Sequence, residues 1–382
     1  MSTAKPVNTV PVVTPDQCAE RIIEPHDFIA DTEAFVDVRI DRSRGKASYS
    51  FIGPGVSQNA AQTINLAVPH GFNVGAASMP HGVVNNAHMH YTAEVFICTR
   101  GSFQVTIGRH GEQTLELGVG DIFVAPTWVF RGFANTGPDD SWMYVVLGGD
   151  DTGGIIWSPD VLREAAATGL HLAADNSLID TTSGDDPSDA VGPVSDDDLD
   201  HVDEYSDAEL ASHLVAADNR QWSDQSLLSS VIDGHGSRMA PAVGHGMSEH
   251  RRHRAPVMTA PGFSVEWLEL GPGCSTGTHR IAESQVLLLA EGDWQVDYNN
   301  GNDRVSAAPA TGSVVSIVPG AWRDLINVGS STAVAAVVSG TDSPNRIEWA
   351  PEILAAARAH GWVRDANGKV APLALLRSAV EP

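Results

Sequence analysis

Residues 82–101, GVVNNAHMHYTAEVFICTRG, carry two histidines and a glutamate in the frame G-x5-H-x-H-x3-E-x6-G. Successive side chains of a strand point to opposite faces, so His88 and His90 share a face two residues apart. Glu94 has the same parity and opens a second strand-like run, EVFICT. Two imidazoles and a carboxylate converging from one sheet face form a 2-His-1-carboxylate set. Such a set leaves positions on a divalent metal open for substrate or dioxygen. Gly101 permits a hairpin, through which SFQVTIG returns as the next strand. A polar sheet face whose histidines merely alternate is the competing reading, and the five fixed positions weigh against it.

This spacing resembles the first signature of the cupin superfamily. The second cupin signature is G-x5-P-x-G-x2-H-x3-N, and residues 120–135 read GDIFVAPTWVFRGFAN. Gly120, Pro126 and Asn135 match. Trp128 stands at the glycine, and Arg131 stands where a histidine usually completes the metal set. Arginine stays protonated and offers only donors, so it does not ligate. Two roles are open to Arg131: a cationic grip on a carboxylate or enolate substrate, or an ion pair with Glu94 or a neighbouring carboxylate.

The elements that position these residues are read from the rest of the chain. The 382 residues are long enough for two domains, and 36 glycines, 22 prolines and 42% hydrophobic residues suit a turn-rich all-β protein. SYSFIGPG, TINLAV and FNVGAASM precede the metal frame and WMYVVLGG follows the second signature, each a short apolar run bounded by turn formers. WSPDVLREAAATGL has helical spacing at Val161, Leu162, Ala165 and Ala166, with Pro159 in the first turn and Gly169 at the end. A short helix is expected near residues 15–21, capped by Thr14 or Asp16.

An internal repeat decides the architecture. WSPDVLREAAATGLHLAADN at Trp157 returns as WAPEILAAARAHGWVRDANG at Trp349, an offset of 192 (349 − 157). GDIFVAPTWVFRGFANTG at Gly120 returns as GSVVSIVPGAWRDLINVG at Gly312, again 192, and GVVNNAH at Gly82 returns as GCSTGTH at Gly273, 191. The chain therefore resembles a duplicated cupin, a bicupin. The fold this implies is all-β: two double-stranded β-helix (jelly-roll) barrels in tandem, each followed by a short helix. The expected division is an arm with a short helix at 1–45, a metal-bearing barrel with its helix at 46–172, an acidic linker at 173–237 and a second barrel with its helix at 238–382. The second copy reads G-x5-His279-x-Ile281-x3-Gln285-x6-Gly292. One imidazole remains and the carboxylate has become an amide, so no catalytic metal is expected there. An arginine recurs, at Arg323.

Composition bounds the function. A net charge of −25 and a pI near 4.8 disfavour nucleic acid or an anionic membrane as partner. Three unclustered cysteines, Cys18, Cys98 and Cys274, point to a reducing compartment. Cys98 shares the parity of Glu94, yet a small buried hydrophobe is its better reading. No leader is evident, and no apolar run approaches the ~18 residues of a membrane span, so a cytoplasmic protein is expected. Residues 175–209 hold about a dozen acidic side chains and no Lys or Arg, the mark of a solvated linker. His245, His250 and His253 around EHRRHR read as a surface loop; His70, His81 and Tyr91 lie near the site in sequence, and His81, which could reach the metal as a fourth ligand, reads as a turn residue facing solvent.

Metal-bearing bicupins are commonly dioxygenases, decarboxylases or isomerases. The resemblance therefore implies an oxidoreductase, a dioxygenase of quercetin- or gentisate-type acting on a small enol, diol or aromatic acid. It implies one divalent metal per chain at His88, His90 and Glu94, with Fe(II) favoured and Mn, Ni or Zn as alternatives, and with Arg131 as the catalytic side chain. A metal-assisted decarboxylase or isomerase is the alternative within enzymes. A non-catalytic bicupin that binds a small ligand is the alternative outside them. The expected partners are a small, anionic substrate and a second copy of the chain, as a homodimer.

Overall fold

The computed structural model describes residues 10–259, 262–341 and 343–376. The described chain forms two compact units. The first holds residues 27–220 with Thr259, Gly262 and Phe263, and the second holds residues 10–26, 221–258 and 264–376.

The first unit is a sandwich of two largely antiparallel sheets. One has five strands, among them Val84–His90, Phe103–Ile107, Arg131–Asn135 and Ile155–Trp157. The other has seven, among them Ala47–Ile52, Phe72–Ser78, Glu94–Arg100, Ile122–Ala125 and Trp142–Gly148. Alternation explains the inner faces. In Phe103–Ile107 the residues Phe103, Val105 and Ile107 are fully buried, while Gln104 and Thr106 are partly exposed. With Phe96, Phe123, Phe133 and Met143 they form the barrel's core, each large side chain contributing ~1.5–3 kcal/mol by its removal from water. Cys98 lies in this cluster, and burial pushes its thiol up to about 12. Gly101 turns at φ +76°, and a side chain there would meet Ser141 Oγ at 1.9 Å.

The second unit repeats the plan, with a six-stranded sheet built around Ser264–Leu270, Gln285–Glu291 and Ala333–Ser339 and a five-stranded sheet holding Trp294–Tyr298 and Arg323–Asn327. The trailing helices are Pro159–Ala167, capped by Ser158, and Pro351–Ala359, both with proline in the first turn. The short N-terminal helix is Pro15–Ala19, with Thr14 in a capping box.

Two expected boundaries move. The arm does not stand before the first barrel: Ile22–Ile23 pairs with Val314 and Val315 at the edge of the second unit's six-stranded sheet, and Val13 and Cys18 join that unit's core. Covering an exposed strand edge is the physical reason. Residues 173–220 are not a linker between barrels but part of the first unit. Leu214–Val215 pairs with Ile122 and Phe123, and Ile179, Leu199 and Leu210 are buried, while most of the acidic side chains stay exposed. A few apolar anchors at intervals hold a segment whose mean composition reads as solvated. Among the described residues no helix is long and apolar enough to cross a membrane.

Candidate metal centre

His88 and His90 sit at the end of Val84–His90 in the five-stranded sheet, whereas Glu94 begins Glu94–Arg100 in the seven-stranded sheet. The three therefore converge from two sheets, not from one face, because the chain crosses the barrel in the turn at residues 91–93. Their ligand atoms all lie within 4.8 Å of one another, and all three side chains are buried. The imidazole rings meet edge to face, 5.0 Å between centroids.

The hydrogen bonds prepare the imidazoles. His88 Nδ1 lies 2.7 Å from the Asn86 carbonyl, and His90 Nδ1 lies 3.3 Å from the Gly154 carbonyl. Each Nδ1–H donates to a backbone oxygen, which leaves each Nε2 as a lone pair. Burial, with the Arg131 charge adding to it, lowers His88 to about 3 and holds His90 well below its ordinary value. Both rings are neutral, the form that ligates a metal.

Glu94 is shared. Its Oε2 accepts from Arg131 Nε and Nη2, both at 3.0 Å, and its Oε1 lies 3.7 Å from His90 Nε2. Arg131 is fully buried, does not line the cavity, and donates its remaining contact to the Val129 carbonyl at 3.4 Å. Of the two roles open to Arg131, the geometry supports the ion pair with Glu94. The residues present fit a divalent metal: two neutral Nε2 atoms and one carboxylate oxygen, Oε1, that Arg131 leaves unclaimed. Metal–ligand bonds of ~2.0–2.2 Å require these atoms to draw closer together on binding.

A cavity of about 70 Å³ adjoins the cluster, walled by Val38, Val74, Val145 and Leu147 as well as His88, His90 and Glu94. Lys46 also lines it, a residue that motif reading does not reach. Its ammonium is buried, pairs with Asp37, donates to Asn85 Oδ1 at 2.7 Å and lies 4.9 Å from the Phe35 ring centroid. Burial lowers its pKa, against the pull of Asp37. The signal available in the sequence is the repeat. Strand register sets Ala47 opposite Ser78 and Ser237 opposite Leu270, so the second copy has Gly236 at Lys46; Val36 N and Leu228 N donate to the equivalent Gln58 and Glu249, which sets Ser229 at Asp37. The copy that lost two metal ligands also lacks the buried ion pair.

Trp128 keeps the backbone of the glycine it replaces, at φ +58° against +74° for Gly320 in the second copy. Its indole is half-exposed and meets Tyr91 edge to face at 5.7 Å. Other candidates lie elsewhere. His81 is exposed and bonds the Gly137 carbonyl, and His70 bonds Val68 and packs on Phe72.

The second barrel preserves the frame. Arg323 donates to the amide oxygen of Gln285, His279 Nδ1 lies 2.7 Å from the Gly277 carbonyl, and Trp349 packs on His279 at 5.3 Å as Trp157 does on His88. Ile281 is buried at the counterpart of His90. His279 Nε2 and Arg323 Nη1 have no hydrogen-bond partner among the described residues.

The family model described as "Cupin domain" matches residues 76–147, the segment that holds His88, His90, Glu94 and Arg131. The oxalate decarboxylase of Lactobacillus farciminis, solved as a formate complex, superposes with a TM-score of 0.54 at 13% identity, covering 87% of this chain and 89% of that one. The fold is that of a bicupin. Oxalate decarboxylase from Bacillus subtilis at pH 4.6 matches at TM-score 0.51 and 13% identity over 82% of this chain and 76% of that one. A second structure of that enzyme, from work on its Mn(II) centres, matches at TM-score 0.51 and 12% identity over 85% and 78% of the two chains. At such identities the likeness establishes the fold of this bicupin. No curated protein sequence matches it at a significant level.

Proposed function

We propose that this bicupin is a metal-dependent enzyme whose first barrel removes CO2 from a small carboxylic acid of the oxalate kind. His88 and His90, through Nε2, and Glu94, through Oε1, would hold one divalent metal, for which the solved relatives favour manganese over the iron expected from the motif. A metal bound there supplies Lewis-acid polarisation of a carboxylate. Arg131 acts as a positioning residue: by holding Oε2 it fixes the Glu94 carboxylate so that Oε1 faces the imidazoles. Lys46, paired with Asp37, lines the cavity beside the polar Ser48, Ser50, Asn73 and Asn85 and offers an anionic substrate a cationic donor.

The observation that carries the reading is the size of the cavity beside the cluster. A cavity of about 70 Å³ holds a handful of waters at ~10–15 Å³ each, which suits a molecule of a few heavy atoms. A polycyclic flavonol is far larger, so the dioxygenase of quercetin type finds no support here, and the comparisons bring none. The test is metal content by mass spectrometry with turnover of oxalate. We expect close to one manganese per chain after growth in manganese-supplemented medium, formate and CO2 from oxalate, and loss of both metal and turnover in His88→Ala but not in His279→Ala. A wild-type protein without metal, or a His88→Ala variant that keeps it, refutes the centre. Oxygen uptake with a small diol, in place of formate release, returns the chemistry to oxygenation.

A further inference from the structure

The second unit carries a polar cleft. It has a volume of about 880 Å³ and is lined by Glu249, Asn345, Arg346, Arg364, Asp365 and Lys369 among others. The strands Leu170–Leu172 and Leu178–Asp180 of the first unit recur as Trp362–Arg364 and Val370–Pro372, 192 residues on, so the two copies can be compared position by position. Leu172 becomes Arg364, Ser177 becomes Lys369, Gly153 becomes Asn345, and Gln58, 191 residues earlier, becomes Glu249.

The last exchange is informative because both residues do the same structural work. Gln58 Oε1 accepts from Val36 N at 2.9 Å and from Trp157 Nε1 at 3.3 Å. Glu249 accepts from Leu228 N at 2.8 Å and from Trp349 Nε1 at 3.1 and 3.2 Å. A neutral amide suffices for that work, so the carboxyl at Glu249, which burial raises to about 7, has another cause. It is answered by Arg364, whose Nη1 lies 3.3 Å from Glu249 Oε1 and also donates to the Ile347 carbonyl at 2.6 Å. Both of these contacts are made by Nη1, and the Arg364 side chain is 29% exposed, which leaves Nε and Nη2 as donors toward the cleft. Lys369 Nζ donates to the Ser248 carbonyl at 2.9 Å, which leaves further donors.

Asn345 points to a ligand independently. It is 6% exposed, it lines the cleft, and neither its Oδ1 nor its Nδ2 has a partner among the described residues. A buried amide left unsatisfied costs ~1–3 kcal/mol per group, so both atoms call for a partner from the cleft. The side chain presents a donor and an acceptor side by side. Three cations, Arg346, Arg364 and Lys369, face two carboxylates, Glu249 and Asp365, on a chain whose net charge is −25. Asp365 is occupied in its own turn, accepting from Asn367 N and Lys369 N.

We infer that this cleft is a second, independent binding site for a small hydroxycarboxylate. Its carboxylate would meet Arg364, Lys369 and Asn345 Nδ2, and its hydroxyl would donate to Asn345 Oδ1. An amino acid would offer the same donor as an ammonium, but the three cations repel it. The site lies in the second unit and is independent of the metal centre.

Calorimetric titration of the full-length protein with L-malate, succinate and inorganic phosphate tests it. We expect malate to bind, succinate to bind at least about tenfold more weakly for want of the hydroxyl, and phosphate weakest of all. Asn345→Gly and Lys369→Ser, each of which restores the first copy's residue, should each weaken malate by about tenfold or more. The two report separately, so a folding failure of one leaves the other to decide, and melting curves show which has folded. His88→Ala should leave malate binding unchanged. The inference is overturned if malate gives no binding at millimolar concentration, if both folded variants bind it as wild type does, if phosphate binds more tightly than malate, or if His88→Ala abolishes the binding.

Discussion

Arg131 and a metal ion offer Glu94 the same service, and that makes the pair experimentally separable. The guanidinium lies 3.0 Å from Oε2 with both groups buried. At an effective dielectric of ~20 that contact is worth roughly 5 kcal/mol of Coulomb attraction. Arg131→Met removes it and leaves a buried carboxylate without a cation, a change that costs ~3–5 kcal/mol. For a unit of this size each kcal/mol moves the midpoint by ~2–4 °C, so the first unit's transition should fall by on the order of 10 °C in EDTA. Manganese at a hundredfold excess over its dissociation constant contributes ~2.7 kcal/mol, and in the variant it also restores the missing charge. We therefore expect manganese to raise the variant's midpoint by more than it raises the wild type's. Glu94→Gln provides the contrast. It recreates the Arg323–Gln285 pair of the second copy, so it should melt near the wild type yet show no manganese shift. Differential scanning calorimetry with and without manganese reads all three proteins. If Arg131→Met melts like the wild type in EDTA, or gains no more from manganese than the wild type does, the shared-carboxylate reasoning is wrong.

Three further outcomes follow from the same contacts. Ile281→His with Gln285→Glu rebuilds the ligand set in the second barrel and should raise the metal content by about one ion per chain, read by mass spectrometry. An unchanged content would mean that the backbone there cannot present the set. Lys46→Met strands the buried Asp37 and should cost ~3–5 kcal/mol in urea unfolding, with much of the loss recovered when Asp37→Ser is added. A double-variant loss equal to the sum of the Lys46→Met and Asp37→Ser losses would show that the two are uncoupled. Burial, opposed by backbone donors from Met247 and Ser248, raises Glu266 from 4.5 to about 8, so the folded state holds that proton more tightly than the unfolded state. The stability it contributes is complete below pH 4.5 and is lost as pH rises toward 8. Relative to wild type, Glu266→Gln should therefore gain ~1.4 kcal/mol per pH unit across that window, a trend that chemical denaturation at a series of pH values would confirm or deny.

How far the sequence reveals this molecule depends on the range of the interactions involved. The metal frame is local: strand parity and the turn at residues 91–93 place His88, His90 and Glu94, and spacing alone exposes them. The duplication is legible for the same reason, since a constant offset of 191–192 survives the loss of the ligands themselves. Even the mismatch at Trp128 misleads only about residue type, because the backbone still takes the glycine conformation at φ +58°. What spacing cannot supply is the choice of partner across a barrel. Whether Arg131 turns to the cavity or to Glu94 is decided by distances between strands of different sheets. The partnership of Lys46 with Asp37 depends on residues ahead of any motif. The arm is harder still, since Ile22 pairs with Val315 far along the chain and nothing local in either segment announces it.

The second copy converts part of that loss into evidence. Positions that both copies share, such as the arginine over the glutamate or glutamine and the tryptophan against the first histidine, are what this barrel requires to fold. Positions that differ as a group are the ones released from that requirement. His90, Glu94, Lys46 and Asp37 depart together from one barrel, and Glu249, Arg364, Asn345 and Lys369 appear together in the other. Chance substitution in a packed protein has no reason to keep such changes in spatial register. A binding event does, because each member of the set is useful only when the rest are present. That pattern is the ground for proposing the metal chemistry in the first barrel and a separate ligand in the cleft of the second.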